Sequence, residues 1–140
     1  MIIVDTNVIS EVLRPQANPT VIEWLDAQPS RDLYLTSINA AELWAGVALL
    51  PSGRQRDLLV SSLDGLLERL FGQRILDFNN QAAKTFAEMA SRTTAIGRPL
   101  PIADALIAAI ARVHGFAVAT RDVGPFAAAG LRVIDPWDPA

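Results

Sequence analysis

The chain has no cysteine, which excludes disulfides, thiolate catalysis and zinc sites built on sulfur. Its one histidine, His114, cannot make a histidine-rich metal site within a single chain. A metal bound here sits on oxygen ligands, which points to magnesium or manganese. Lysine is nearly absent: Lys84 is the only one, and every other basic side chain is arginine. Arginine suits bidentate phosphate contacts and stacking on bases, but GC-rich coding sequence produces the same bias. Long apolar runs are missing too. The stretch from Ile102 to Val118 is broken by Asp104, Arg112, His114 and Gly115, so it does not read as a membrane span. Charge of one sign is also lacking, with 12 basic and 15 acidic residues giving a net −3. That argues against a non-specific nucleic-acid coat, which is strongly basic, and leaves open an enzyme acting on nucleic acid. Met1 leads straight into an apolar segment with no basic n-region or cleavage site, so a cytoplasmic chain without a signal peptide is expected.

What is present is core-forming material. A length of 140 residues, 51% of them hydrophobic, suits one folded domain over residues 1–140. Ile2-Ile3-Val4 is a β-branched apolar run and reads as a strand buried on both faces, the kind found in parallel sheets under helices. A helical pattern follows through Val8, Ile9, Val12 and Leu13. Asn18-Pro19 reads as a cap and first-turn proline opening a second helix to Ala27. Further strands are expected over Leu33–Thr36, Arg74–Phe78, Phe116–Thr120 and Leu131–Ile134. Helices are expected over Ile38–Leu50, Arg54–Leu70, from Asn80 to about Thr94, and over Ile102–His114 with Gly115 as its terminator. The order β-α-α-β-α-α-β-α-α-β-α-β predicts a three-layer α/β/α domain around a mostly parallel sheet of about five strands.

Four carboxylates fall where that architecture places a site. Asp5 ends the first strand, and ligands of open α/β sheets bind beyond the carboxyl strand ends. Glu42 is expected in the first turn of the helix after the second strand, and Asp104 in the first turn of the helix after Gly97-Arg98-Pro99-Leu100-Pro101. Asp122 follows the fourth strand in Ala119-Thr120-Arg121-Asp122. Each also has a purely local explanation. Asp5 or Asn7 can cap a helix, and Asn39-Ala40-Ala41-Glu42 fits a capping box. Asp104 complements a helix dipole, and Asp122 can shape a turn. Together they read differently, because clustered carboxylates repel unless they share protons or a cation.

Val4-Asp5-Thr6-Asn7, Ala41-Glu42, Ile102-Ala103-Asp104-Ala105-Leu106-Ile107-Ala108-Ala109 and Ala119-Thr120-Arg121-Asp122, in that order, resemble the PIN-domain ribonucleases. The resemblance is nearest to the VapC-type toxins of bacterial toxin–antitoxin pairs, in their FitB-like branch, and covers essentially the whole chain. It implies a magnesium- or manganese-dependent endoribonuclease, usually a homodimer, silenced by a cognate VapB-type antitoxin. It also implies products with a 5′-phosphate and a 3′-hydroxyl. Carried over by residue, Asp5, Glu42, Asp104 and Asp122 are its catalytic acids. Asp5, Asp104 and Asp122 are then the expected metal ligands, and Glu42 either a ligand or the group orienting the attacking water. Thr6, Asn7 and Thr120 would fix carboxylate orientation.

Arg98 and Arg121 flank the acids and are candidates for RNA phosphate contacts, against the alternative of solvated surface arginines. His114 suits the end of its helix as a dipole-complementing cation. Trp24 and Trp44 read as core or interface, and Gly46 as a concession to close helix packing. A haloacid-dehalogenase-type phosphatase needs a second acid where Asn7 stands, and a receiver domain needs a lysine after a late strand. Neither pattern is met. The surviving alternative is a PIN-like module that binds RNA or a protein partner with little or no catalysis.

Overall fold

Strand β1 (Ile2–Val4) is buried along its whole length. Alternate side chains of a strand point to opposite faces, so Ile2 and Val4 enter one apolar cluster while Ile3 enters another. β2 (Leu33–Thr36) and β4 (Ala117–Ala119) divide in the same way. Leu33, Leu35 and Ala119 join the first cluster and Val118 the second. The computed structural model describes residues 1–139.

Five strands form the sheet in the order β3-β2-β1-β4-β5, and every neighbouring pair is parallel. The expected mostly parallel sheet is thus entirely parallel among the described residues. β3 (Ile75–Leu76) and β5 (Val133–Ile134) are shorter than the apolar runs around them suggest. Both are edge strands, and each has only one neighbour to set its length.

Helices α1 (Thr6–Val12), α2 (Pro19–Asp26), α3 (Ser37–Ala48) and α4 (Arg54–Leu70) supply the first cluster. Trp24 and Trp44 pack against it, partly buried. On the other face, α5 (Asn80–Ala95), α6 (Ile102–His114) and α7 (Val123–Ala128) bring Met89, Ile107, Ile110 and Phe126 over Ile3 and Val118. This is the expected three-layer arrangement. The predicted caps hold at two ends: Asn18 accepts from Thr20 N ahead of Pro19, and Gly115 closes α6 with φ of 71°. Gly46 corrects an expectation, since a Cβ built there meets nothing within 4 Å. Among the described residues no close helix contact requires it.

The strand order locates the site. From β1 the chain moves outward through β2 to β3, then crosses back to place β4 on the other side of β1. Such a reversal opens a crevice beyond the carboxyl ends of the two central strands. Asp5 follows β1 directly and Thr120 follows β4 directly.

Candidate active site at the carboxyl edge of the sheet

Asp5 is 5% exposed and anchors a hydrogen-bonded network at this crevice. It caps α1, with Oδ1 accepting from Thr6 N at 2.8 Å. The same oxygen accepts from Asn39 Nδ2 at 3.0 Å, and Oδ2 accepts from Thr120 Oγ1 at 2.8 Å. Capping and site roles therefore coincide in one side chain. Thr6 Oγ1 donates to Glu42 Oε1 at 2.8 Å and accepts from Asn39 Nδ2 at 3.0 Å. Thr120 Oγ1 in turn accepts from Asn7 Nδ2 at 3.1 Å and from Asp122 N at 3.0 Å. Thr6, Asn7 and Thr120 thus stand where the sequence places them, beside the acids.

Two local readings need correction. The capping box of α3 is formed by Thr36 and Asn39, one turn earlier than expected. Glu42 is therefore not the capping acid. It is the sixth residue of α3 and lies in the second turn rather than the first. Its recorded partner is Thr6, 36 positions away. Likewise the turn after β4 is shaped by Thr120 accepting from Asp122 N, and the Asp122 side chain makes no capping bond. Asp104 does lie in the first turn of α6.

Asn39 was not singled out by its sequence context beyond a capping role. A threonine three residues ahead of it, at a strand end, was the available signal. It is fully buried, and its amide bridges the α3 cap to both Asp5 and Thr6. Asn39→Ala is expected to cost about 1–3 kcal/mol, since it strips donors and acceptors from buried partners. Chemical denaturation measures this, and a midpoint equal to wild type would contradict the network.

All four acids line one open cavity of about 450 Å³. Asp104, half-buried, feels the crowding: burial first, then the charges of Asp5, Asp122 and Glu42, push its carboxyl up to about 6. Burial also raises Asp5, against the lowering effect of its hydrogen bonds to Thr120, Thr6 and Asn39. Among the described residues no group of three or more acids is arranged to hold a metal ion by itself. A cation bound here would have to complete its coordination with water. Asp5, with both oxygens held by neighbours, has a fixed carboxylate orientation.

Arg121 lines the cavity and Arg98 does not. Arg98 is exposed in a separate cleft with Pro99, Leu100 and Gly124, so it does not join the acids. Glu11, Arg14 and Trp137 also line the cavity; the sequence assigns none of them a site role, although the family resemblance extends over the Trp-Asp-Pro tail that holds Trp137. Glu11 continues the α1 face begun by Asn7, four residues on, and Arg14 follows three residues later, just past the helix end. Trp137 stands in the tail after β5, where no periodicity points to it. His114 ends α6, with its ring 5.4 Å from that of Phe116 and outside the cavity lining.

The PIN domain family model matches residues 2–130. The plasmid stability protein StbB of Pseudomonas syringae pv. tomato is 49% identical over 138 residues, covering 99% of each chain. The VapC ribonuclease Y4jK of Sinorhizobium fredii is 42% identical over 140 residues, covering 100% of each chain. Toxin FitB of Neisseria gonorrhoeae is 45% identical over 137 residues, covering 98% of this chain and 99% of that one. The crystal structure of FitAcB from the same organism superposes with a TM-score of 0.93 over 98% of this chain and 99% of that one, at 45% identity. With sequence and fold agreeing over nearly its full length, this chain belongs to the PIN domain family.

Proposed function

We propose that this chain is a divalent-metal-dependent endoribonuclease, the toxin of a type II toxin–antitoxin pair. The carrying observation is that Asp5, Glu42, Asp104 and Asp122, far apart in sequence, line one cavity at the sheet's switch point. The reading is supported by likeness to a protein named VapC ribonuclease and to another named Toxin FitB. With it goes a cytoplasmic homodimer, as the family resemblance implies, held silent by a VapB-type antitoxin.

Asp5, Asp104 and Asp122 would hold magnesium or manganese, partly through water. Such an ion lowers the pKa of a water and neutralises charge building on the phosphate. The chain's own residues do the positioning. Thr120, Asn39 and the Thr6 amide fix the Asp5 carboxylate so that it need not reorganise. The Thr6 hydroxyl holds Glu42 Oε1, which leaves Oε2 to accept from the attacking water and orient it. Asn7 and Thr120 hold the backbone on which Arg121 and Asp122 stand.

The test is a cleavage assay on single-stranded RNA with the purified chain, freed of any partner. Cutting is expected with magnesium or manganese and none in excess EDTA. An intact, folded chain inert toward RNA under every divalent metal would favour the binding-module alternative.

A further inference from the structure

One wall of the acid cavity is built from Arg121 and Trp137. Trp137 is anchored in two ways. Its backbone N–H donates to Asp135 Oδ1 at 2.9 Å, and its ring packs, partly buried, against the cluster under α1–α4. The Arg121 guanidinium lies over that ring, 5.1 Å from its centroid. Its backbone is fixed as well, since Arg121 N donates to Asn7 Oδ1 at 3.3 Å. Among the described residues Arg121 has no carboxylate partner, whereas Arg14, the other cation of the cavity, is paired with Glu11 at 3.4 Å. Arg121 is therefore held by a π-face rather than neutralised by an acid, and its charge and N–H groups stay available.

That matters because a cavity floored with acids repels a polyanion. A guanidinium can donate in its plane to a phosphate while its face stacks on a base. Single-stranded RNA offers both groups at once, with unstacked bases that settle on aromatic rings and on guanidinium planes.

We infer that Arg121 and Trp137 form a nucleotide-gripping subsite. Arg121 takes the phosphate neighbouring the scissile one, and the guanidinium–indole stack takes a base of single-stranded RNA. Arg121 contacts the phosphate, and Trp137 both holds the Arg121 guanidinium and contacts the base with its ring. The inference rests on the ribonuclease reading above and adds how the substrate is held.

Steady-state cleavage of a short single-stranded RNA by wild type, Trp137→Leu, Trp137→Phe and Arg121→Lys tests it. Trp137→Leu is expected to raise KM roughly 5- to 150-fold, the value of one base–aromatic stack, with the loss carried by KM rather than kcat. Trp137→Phe should recover most of that loss. Arg121→Lys, which keeps the charge but not the plane, should raise KM at least several-fold. Substrates with one base removed add a readout that a structural role would not move. Wild type should lose affinity at one position, and Trp137→Leu should lose nothing more there. If Trp137→Leu does not fold, Trp137→Phe and Arg121→Lys decide the matter, with wild-type KM in Arg121→Lys overturning the inference. A wild type that cleaves RNA while every variant keeps its KM overturns the inference alone. A wild type inert toward RNA overturns the ribonuclease reading and the inference with it.

Discussion

Glu42→Gln is expected to lower RNA cleavage by at least 10²- to 10³-fold while leaving the chain folded. Stabilisation of charge by preorganised polar groups is usually the largest catalytic contribution, and losing one such group costs about this much. The substitution keeps the shape and an oxygen that can accept from the Thr6 hydroxyl, which among the described residues is the one hydrogen bond of the Glu42 side chain. Helix capping does not depend on it, because Thr36 and Asn39 close the α3 capping box between themselves. Removing its charge should also ease Asp104, whose carboxyl is raised in part by Glu42. Metal-free melting should therefore hold or rise slightly. A Glu42→Gln protein that melts normally and cuts RNA at the wild-type rate would remove Glu42 from the chemistry.

The second large effect is a reversal of pH dependence by metal. Asp104 has its carboxyl raised to about 6 in the fold, from an ordinary value of 3.8. A group raised on folding contributes stability fully below its unfolded pKa and loses it as pH climbs through its folded one. Without metal, this group should therefore make the fold less stable at about pH 7.5 than at about pH 5. Asp5, raised in the same direction by burial, adds to the trend. Bound metal needs ionised carboxylates, so its effect runs the other way. At about 100 times its Kd and above pH 7, magnesium or manganese should add roughly 2.7 kcal/mol. That gain should fade as pH falls through about 6. Thermal melts across this range with manganese or with EDTA measure both slopes. Parallel curves would mean that the metal does not meet these acids.

Much of this was legible in the sequence, for identifiable physical reasons. Ile2-Ile3-Val4 can be buried on both faces only in a covered parallel sheet, and the alternation of strand and helix patterns sets the order of elements. The acids were legible because each directly follows a strand or lies near the start of a helix. What escaped depends on contacts across the fold. The capping box of α3 slid to Thr36 because a threonine at the strand end met Asn39, freeing Glu42 to face Thr6. Arg98 and Arg121 look equivalent beside the acids in sequence, yet Arg98, in the irregular segment between α5 and α6, lines another cleft with Pro99, Leu100 and Gly124. Trp137 entered the site through tertiary packing of the tail, which no local pattern encodes.

The most direct measurement is the chemistry of the cut ends. In the proposed metal-dependent reaction water is the nucleophile, and the family resemblance implies 5′-phosphate and 3′-hydroxyl ends. Carboxylates such as Asp104, raised to about 6, could instead act as base and acid for attack by the ribose 2′-hydroxyl, so the ends separate the two routes. Mapping the termini of an RNA cleaved with magnesium or manganese should find 5′-phosphate and 3′-hydroxyl ends. An RNA carrying a single 2′-deoxy nucleotide at the scissile position should still be cut there. Ends bearing a 2′,3′-cyclic phosphate, or cutting undiminished in excess EDTA, would contradict the account.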